Sequence, residues 1–507
     1  MRGRRYAEVA RNFSSFELVR LLGSPQVSHG YFDESDHTMD GAASSASLIE
    51  DWHAELRRHP LHDHPNYFAN DLSRLVTESV VQNFRIGIGD DIYSSILPTV
   101  ETAELEVIFV TCFWAKSTSL ERLSNTLQAL STKAIERKGP KIRVRICFSS
   151  LSILQKLFHT SSPAGHVYPS STWAKKLGLP PPEDLIGLDL EIKSVFIRPF
   201  SVMHPKFIVI DRARVWLPSC NVSWEAWFEG CIELSGPVVE QFVRFWKAFW
   251  AKESERQESL PDTRLQMDES VVQDHTDDAE TVQRVAGSFP AIVRLDTLGP
   301  VPTVFLPSPH HVNPRFRPLP WQSAPDAPPT PLNTFTIQLF GSATSNIYVQ
   351  TPNVTSPPVL TALLRALQRG VNVHIVTSER LMILEQLGTA GTTTARCIKK
   401  LIKRYKRLSS ASFSASALEA GVPRLGRLCI EYYCSQHSNS PHQPTQSHLK
   451  LTVVDAVWII LGSGNMDRAS WYTSQELGVA LCSHGVAAAV HGIVRRGLEG
   501  RTKVVHA

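Results

Sequence analysis

One pattern occurs twice in this chain, and that duplication limits the possible folds more than any other feature. The first copy holds His204, Lys206, Asp211, Ser219 and Asn221; the second holds His448, Lys450, Asp455, Ser463 and Asn465. In both, lysine follows histidine by 2 residues, aspartate by 7, serine by 15 and asparagine by 17, and the copies lie 244 residues apart. Five residue types at matching offsets mark a repeated structural unit. Upstream of each copy the apolar pattern reads strand, helix, strand: residues 105–112, 120–137 and 142–148, then 347–351, 358–368 and 371–377, with Gly370 as a helix C-cap. Two such series predict an α/β protein of two units with largely parallel sheets, which 507 residues accommodate.

Within each copy, histidine and lysine lie two apart in a β-branched run, so both side chains leave one face of a strand and can meet one anion. Asp211 and Asp455 sit where one apolar run ends and the next begins, which reads as a hairpin turn. They are expected to support that turn rather than meet a substrate. The returning strand brings Asn221 or Asn465 back towards the histidine, as an amide donor beside the lysine.

Composition changes between the halves. Residues 251–280 are polar and acidic, and 300–331 hold eleven prolines, which predicts an extended connector laid over the surface. The expected organisation is therefore an N-terminal helical extension (1–80), a first domain (81–255), an acidic then proline-rich linker (256–332) and a second domain (333–507).

A histidine, lysine and aspartate spaced H-x-K-x4-D and followed by serine and asparagine form the signature of the phospholipase D superfamily, which this chain resembles over roughly 80–255 and 285–500. The resemblance implies two pseudo-symmetric α/β/α halves packed face to face, with the active site at their interface. It implies a phosphodiesterase or phosphatidyltransferase that needs neither metal nor other cofactor and works as a monomer. A phosphodiester is anionic, so the chemistry calls for cations around its oxygens and an uncharged nucleophile, and a neutral imidazole is one. By similarity His204 is the nucleophile that forms a phosphohistidine and His448 the acid/base, while Lys206, Lys450, Asn221 and Asn465 bind the phosphoryl oxygens, assisted by Ser219 and Ser463.

Each imidazole then needs a carboxylate on its other ring nitrogen. Glu476 lies 28 residues after His448, where this family commonly keeps a glutamate. In the first half Ile232 holds that offset, and Glu233, one residue later, is taken as the partner, with Glu229 as its rival. Gln350, Asn353, Trp224 and Trp471 are candidate substrate contacts; the other tryptophans near the first copy, Trp216, Trp227, Trp246 and Trp250, read mostly as core.

Two copies in one chain and a net charge of only +4 favour a phospholipid substrate and transient contact with a membrane surface over a nucleic acid. A nuclease on the same fold and an inert scaffold are the alternatives. The basic run from Lys399 to Arg407 reads first as a solvated helix face, then as an anion-binding patch. Eight scattered cysteines point to a reducing, intracellular setting, and no apolar run is long enough to span a bilayer. The basic N-terminus with Phe13, Phe16, Leu18, Leu21 and Leu22 reads as a docking helix rather than a mitochondrial presequence, because Glu8 and Glu17 interrupt it. Neither Cys429, Cys434, His437 and His442 nor His53, His59, His62 and His64 has the spacing of a metal site.

Overall fold

The computed structural model describes residues 35–58, 68–69, 71–152, 164–197, 201–256, 289–309, 326–412, 424–436 and 443–507. The expected N-terminal docking helix, His59, His62, His64, His437 and His442 lie outside these residues.

The first half contains β1 (Val76–Gly87), β2 (Glu106–Val110), α1 (Thr118–Glu136), β3 (Ile142–Phe148), β4 (Leu188–Ser194), β5 (Phe207–Ile210), β6 (Arg214–Pro218), β7 (Trp227–Ser235) and α2 (Val238–Phe249). The second contains β8 (Pro300–Ser308), β9 (Asn346–Gln350), α3 (Pro357–Gln368), β10 (Asn372–Thr377), α4 (Ile383–Ala390), α5 (Thr394–Ser412), β11 (Leu428–Tyr433), β12 (Leu451–Val454), β13 (Trp458–Gly462), β14 (Glu476–Cys482) and α6 (His484–Gly497).

Their pairings join one sheet in the order β4-β3-β2-β5-β6-β7-β1-β8-β14-β13-β12-β9-β10-β11. Read from either end, the series is the same: three parallel strands, then antiparallel ones, meeting where β1 pairs with β8. Of the parallel strands β2 is buried along its whole length, while β3, β4, β10 and β11 carry charged or polar residues among their apolar ones. The helices after β7 and β14 pack across the junction, α2 against β8 and α6 against β1. One apolar cluster runs through the centre and the second half, and another fills the outer part of the first half.

The proline-rich stretch differs from the expected surface connector. Pro300–Ser308 is a largely buried strand at the centre of the sheet, pairing with β1 over 300–304 and with β14 over 303–308. Pro300, Pro302 and Pro307 each sit where only one side is paired, positions at which a missing N–H need cost no ladder bond. Composition alone hides that arrangement. The N-terminal part is also tied in, because Trp52 Nε1, on the helix Ser35–Arg58, donates to Pro331 O at 3.2 Å and Thr334 Oγ1 at 3.0 Å.

Both hairpins turn through an aspartate in the left-handed region, at φ 50 for Asp211 and 52 for Asp455, followed by Arg212 and Ala456 at φ 57 and 56. Aspartate tolerates this conformation better than most residues, and its carboxylate is put to use. Asp211 accepts from the backbone N–H groups of Glu104, Leu105 and Glu106, and Asp455 from those of Thr344, Ser345 and Asn346, all within 2.8 Å. Each thereby pins the start of β2 or β9. Burial alone would raise the Asp455 carboxyl, but these N–H donors hold it below the ordinary aspartate range. Among the described residues no helix is long and apolar enough to cross a membrane.

Candidate active site

The two halves exchange backbone hydrogen bonds beside each histidine. His204 N donates to Gln475 O at 3.0 Å and Gln475 N to Val202 O at 2.9 Å; His448 N donates to Phe228 O at 3.0 Å. Gln475 immediately precedes Glu476, and Phe228 immediately precedes Glu229. Each histidine is therefore set down beside the glutamate of the opposite half.

The side chains follow. His204 Nδ1 lies 2.9 Å from Glu476 Oε2, and His448 Nδ1 lies 2.8 Å from Glu229 Oε1. With the carboxylate on Nδ1, that nitrogen carries the proton and Nε2 keeps a lone pair for chemistry. The serines steady the glutamates. Ser219 Oγ donates to Glu229 and accepts from Gly230 N at 2.9 Å; Ser463 Oγ donates to Glu476 at 2.5 Å and accepts from Leu477 N at 3.0 Å.

The expected glutamate assignment is thus corrected in two respects. Glu476 serves His204 rather than His448, and the first half's carboxylate is Glu229 rather than Glu233 and serves His448 rather than His204. Glu233 lies four residues further along β7, roughly 13 Å away at the rise of a strand, where it meets Asn83 and Arg214. Burial raises its carboxyl, only partly offset by Asn83, Arg214 and Arg85. Equal offsets from the histidines misled because the second half inserts a short helix, Arg468–Tyr472, between its asparagine and its glutamate. Strand register gives the match: Cys231 opposes Pro218 as Gly478 opposes Gly462, so Glu229 and Glu476 are equivalent. Pro218 and Cys220, where the second copy has glycines, do not alter the loop, since Ser219 N donates to Gly230 O as Ser463 N does to Leu477 O.

His204, Asn221, His448, Asn465 and Glu476 line one cleft of about 250 Å³, together with Trp227, Asn353 and Asp467. Lys206 is buried and its Nζ donates to His204 O at 2.9 Å, while Lys450 Nζ lies 2.9 Å from His448 Nε2. The two histidines are not alike. Trp227 lies over His448, rings 4.8 Å apart, and leaves its side chain 4% exposed; at the equivalent place His204 has Ser474, and its side chain is 16% exposed.

Not every candidate enters the cleft. Gln350 and Trp471 are buried and line a small adjoining cavity with Lys450; Gln350 Nε2 donates to Ser447 Oγ at 2.9 Å, and Trp471 is core. Trp224 is 71% exposed beside Glu225, which lines the cleft. Asn221 Oδ1 accepts from Phe113 N at 3.2 Å, leaving its amide N–H groups as donors, while Asn465 Nδ2 gives one of its two N–H groups to Asp467 Oδ2 at 3.1 Å. Trp227 and Asp467 were not chosen from sequence as site residues, and Glu229 was named only as the rival of Glu233. Only the doubled glutamate in Glu229-Gly-Cys-Ile-Glu233 signalled one of them.

Burial dominates the electrostatics. It lowers His204 despite Glu476, and it takes His448 down to about 4 despite Glu229, so both imidazoles are neutral at pH 7. Burial also brings the Lys450 ammonium down to about 7, the pull of Glu229 being opposed by Lys206. Burial would raise both glutamates, but the facing imidazoles and hydroxyls hold them below the ordinary range. Any anion that binds beside Lys450 raises its pKa, so binding takes up protons. Calorimetry of a non-hydrolysable phosphodiester in buffers of different ionisation enthalpy is expected to show that uptake, with affinity falling as pH rises above 7.

Elsewhere among the described residues, His374, Cys429 and Glu431 place ligand-type atoms within 4.8 Å of one another. There Arg495 Nη1, 3.3 Å from Glu431 Oε1, already balances the carboxylate.

Residues 336–496, which include the whole second copy of the motif, match the family described as cardiolipin synthase, PLD-like domain. Those residues belong to the phospholipase D superfamily. The first half repeats their constellation and is joined to them through one sheet. The chain's fold is similar to a phosphatidylserine synthase from Haemophilus influenzae Rd KW20, at 13% identity and a TM-score of 0.51, covering 90% of this chain and 92% of that one. A phospholipase D family member, Nuc, from Salmonella typhimurium aligns at 20% identity and a TM-score of 0.23, over 35% of this chain and 91% of that one. A polyphosphate kinase from Porphyromonas gingivalis aligns at 8% identity and a TM-score of 0.43, over 82% and 47%. No curated protein sequence matches the chain significantly.

Proposed function

We propose that this phospholipase D superfamily member is a phosphodiesterase or phosphatidyltransferase acting on phospholipids through a phosphohistidine, in the manner of a cardiolipin synthase. The observation that carries this reading is the crosswise pair: two neutral imidazoles on one cleft, each oriented by a glutamate from the opposite half. The matched family is described as cardiolipin synthase, and the phosphatidylserine synthase shares the fold, which supports a lipid substrate.

In this mechanism His204 Nε2 attacks phosphorus, and the bond to the headgroup oxygen breaks. The leaving alkoxide takes a proton from His448, which the incoming phosphate anion has raised from its unliganded value. Water or an alcohol then gives its proton to His448 and attacks the phosphohistidine, releasing His204. The greater exposure of His204 suits the nucleophile, and the cover of Trp227 suits the group that only moves protons. Lys206 and Lys450 offset the charge on the phosphoryl oxygens, with Asn221 as a further donor. No step calls for a metal, because the paired ammonium groups supply the positive charge.

The test is incubation in EDTA with phosphatidylglycerol, phosphatidylcholine and single-stranded DNA in parallel, with a primary alcohol present. A phosphatidyl-alcohol product is expected. Cut DNA with intact lipid would make the protein a nuclease, and inertness towards all three would refute the lipid enzyme and leave a scaffold.

A further inference from the structure

Helix α4 forms part of the cleft mouth: Met382, at its N-cap with φ 55, and Glu385 both line the cleft. Its outer surface is apolar. Leu384 is 86% exposed, and Met382, Ile383 and Leu387 are exposed with it. Ile383, Leu384 and Leu387 share a helix face by their spacing. From the other half Trp224 stands exposed, one residue from the cleft-lining Glu225. Five of the thirteen large apolar side chains exposed among the described residues therefore gather around one polar cleft. Scattered apolar residues need no explanation, but a cluster at the mouth of an anion site does.

Charge supplies the second observation. Helix α5 begins four residues after α4 ends, has no acidic residue, and exposes Arg396, Lys399, Lys400, Lys403, Arg404, Lys406 and Arg407. Those seven positive charges exceed the net +4 of the whole chain. An anionic bilayer has the complementary composition, phosphate groups at its surface and acyl chains beneath. Four exposed aliphatic side chains against one exposed aromatic match acyl chains better than single-stranded nucleic acid, where flat aromatic rings do the stacking.

We infer that α4, α5 and Trp224 form a docking surface for an anionic phospholipid bilayer, holding the cleft mouth against the headgroup layer. This rests on reading the cleft as a phospholipid site, and deepens it: the substrate is taken from a surface, not from solution.

The full chain is tested by sedimentation with vesicles of phosphatidylcholine alone and of an equimolar mixture with phosphatidylglycerol. Binding to the mixed vesicles is expected. Leu384→Gln/Leu387→Gln weakens it about fivefold or more, since two side chains lose apolar burial. Lys399→Gln/Lys403→Gln/Lys406→Gln weakens it about tenfold or more, on the anionic vesicles alone. Both variants keep the melting temperature and the wild-type turnover of a monomeric short-chain phosphatidylglycerol. Failure of the wild type to bind mixed vesicles, or undiminished binding by either variant, overturns the inference. Loss of single-stranded DNA binding with vesicle binding unchanged would assign the surface to nucleic acid and overturn it too. If the short-chain lipid is not turned over but the vesicle results hold, the cleft reading fails and the docking surface stands.

Discussion

Replacing His204 with alanine is expected to lower turnover about 10⁴-fold or more, because the attacking imidazole of the proposed mechanism is lost. His448→Ala should behave differently. Without its proton donor the first step still proceeds on a substrate whose leaving group needs no protonation, such as a nitrophenyl phosphodiester, but the second step stalls. Intact-protein mass spectrometry after acid-free quenching is then expected to show a phosphoryl adduct on the His448→Ala protein and none on His204→Ala. An adduct on the His204→Ala protein instead would reverse the two roles. Near-normal turnover by either variant would remove that histidine from the reaction.

The crosswise glutamates make the second large prediction. Glu476→Gln and Glu229→Gln should each lower kcat about 10²- to 10⁴-fold with little change in KM, since an amide can fix the wrong tautomer of the imidazole it faces. The defects should sort by the histidine touched, not by position in the chain. Glu476→Gln, in the second half, should resemble a loss of His204 and form no adduct; Glu229→Gln, in the first half, should resemble a loss of His448 and accumulate one. Glu233→Gln is expected to keep full turnover, its carboxylate being occupied with Asn83 and Arg214. If Glu233→Gln were the damaging variant, the crosswise arrangement would be wrong.

Much of this was legible from residues alone, for identifiable reasons. The spacing of histidine, lysine and aspartate is local, so the turn preference of aspartate was enough to read the hairpin, but each histidine and lysine sits in the irregular segment just before its first strand and not within a strand as expected. The strand-helix-strand pattern before each copy was equally local, and it appears as β2-α1-β3 and β9-α3-β10. What failed depended on partners distant in sequence. Which glutamate meets which histidine is set by backbone bonds from Val202 and His204 to Gln475 and from His448 to Phe228, and neither is visible in either repeat read separately. Pro300–Ser308 looked like a connector because proline argues against a paired strand, unless its neighbours are staggered as β1 and β14 are. Trp471 and Gln350 had the right types for a pocket wall, but packing turned them away from the main cleft.

The reciprocal lending of carboxylates has a consequence for inheritance. A unit of this kind, standing alone, would own an imidazole without the carboxylate that aims it. Two copies must therefore meet before either is competent, whether as separate chains or fused end to end as here. Once fused, neither is at liberty to drift, for a change that spoils Glu229 is suffered by the ring at His448, and one that spoils Glu476 by the ring at His204.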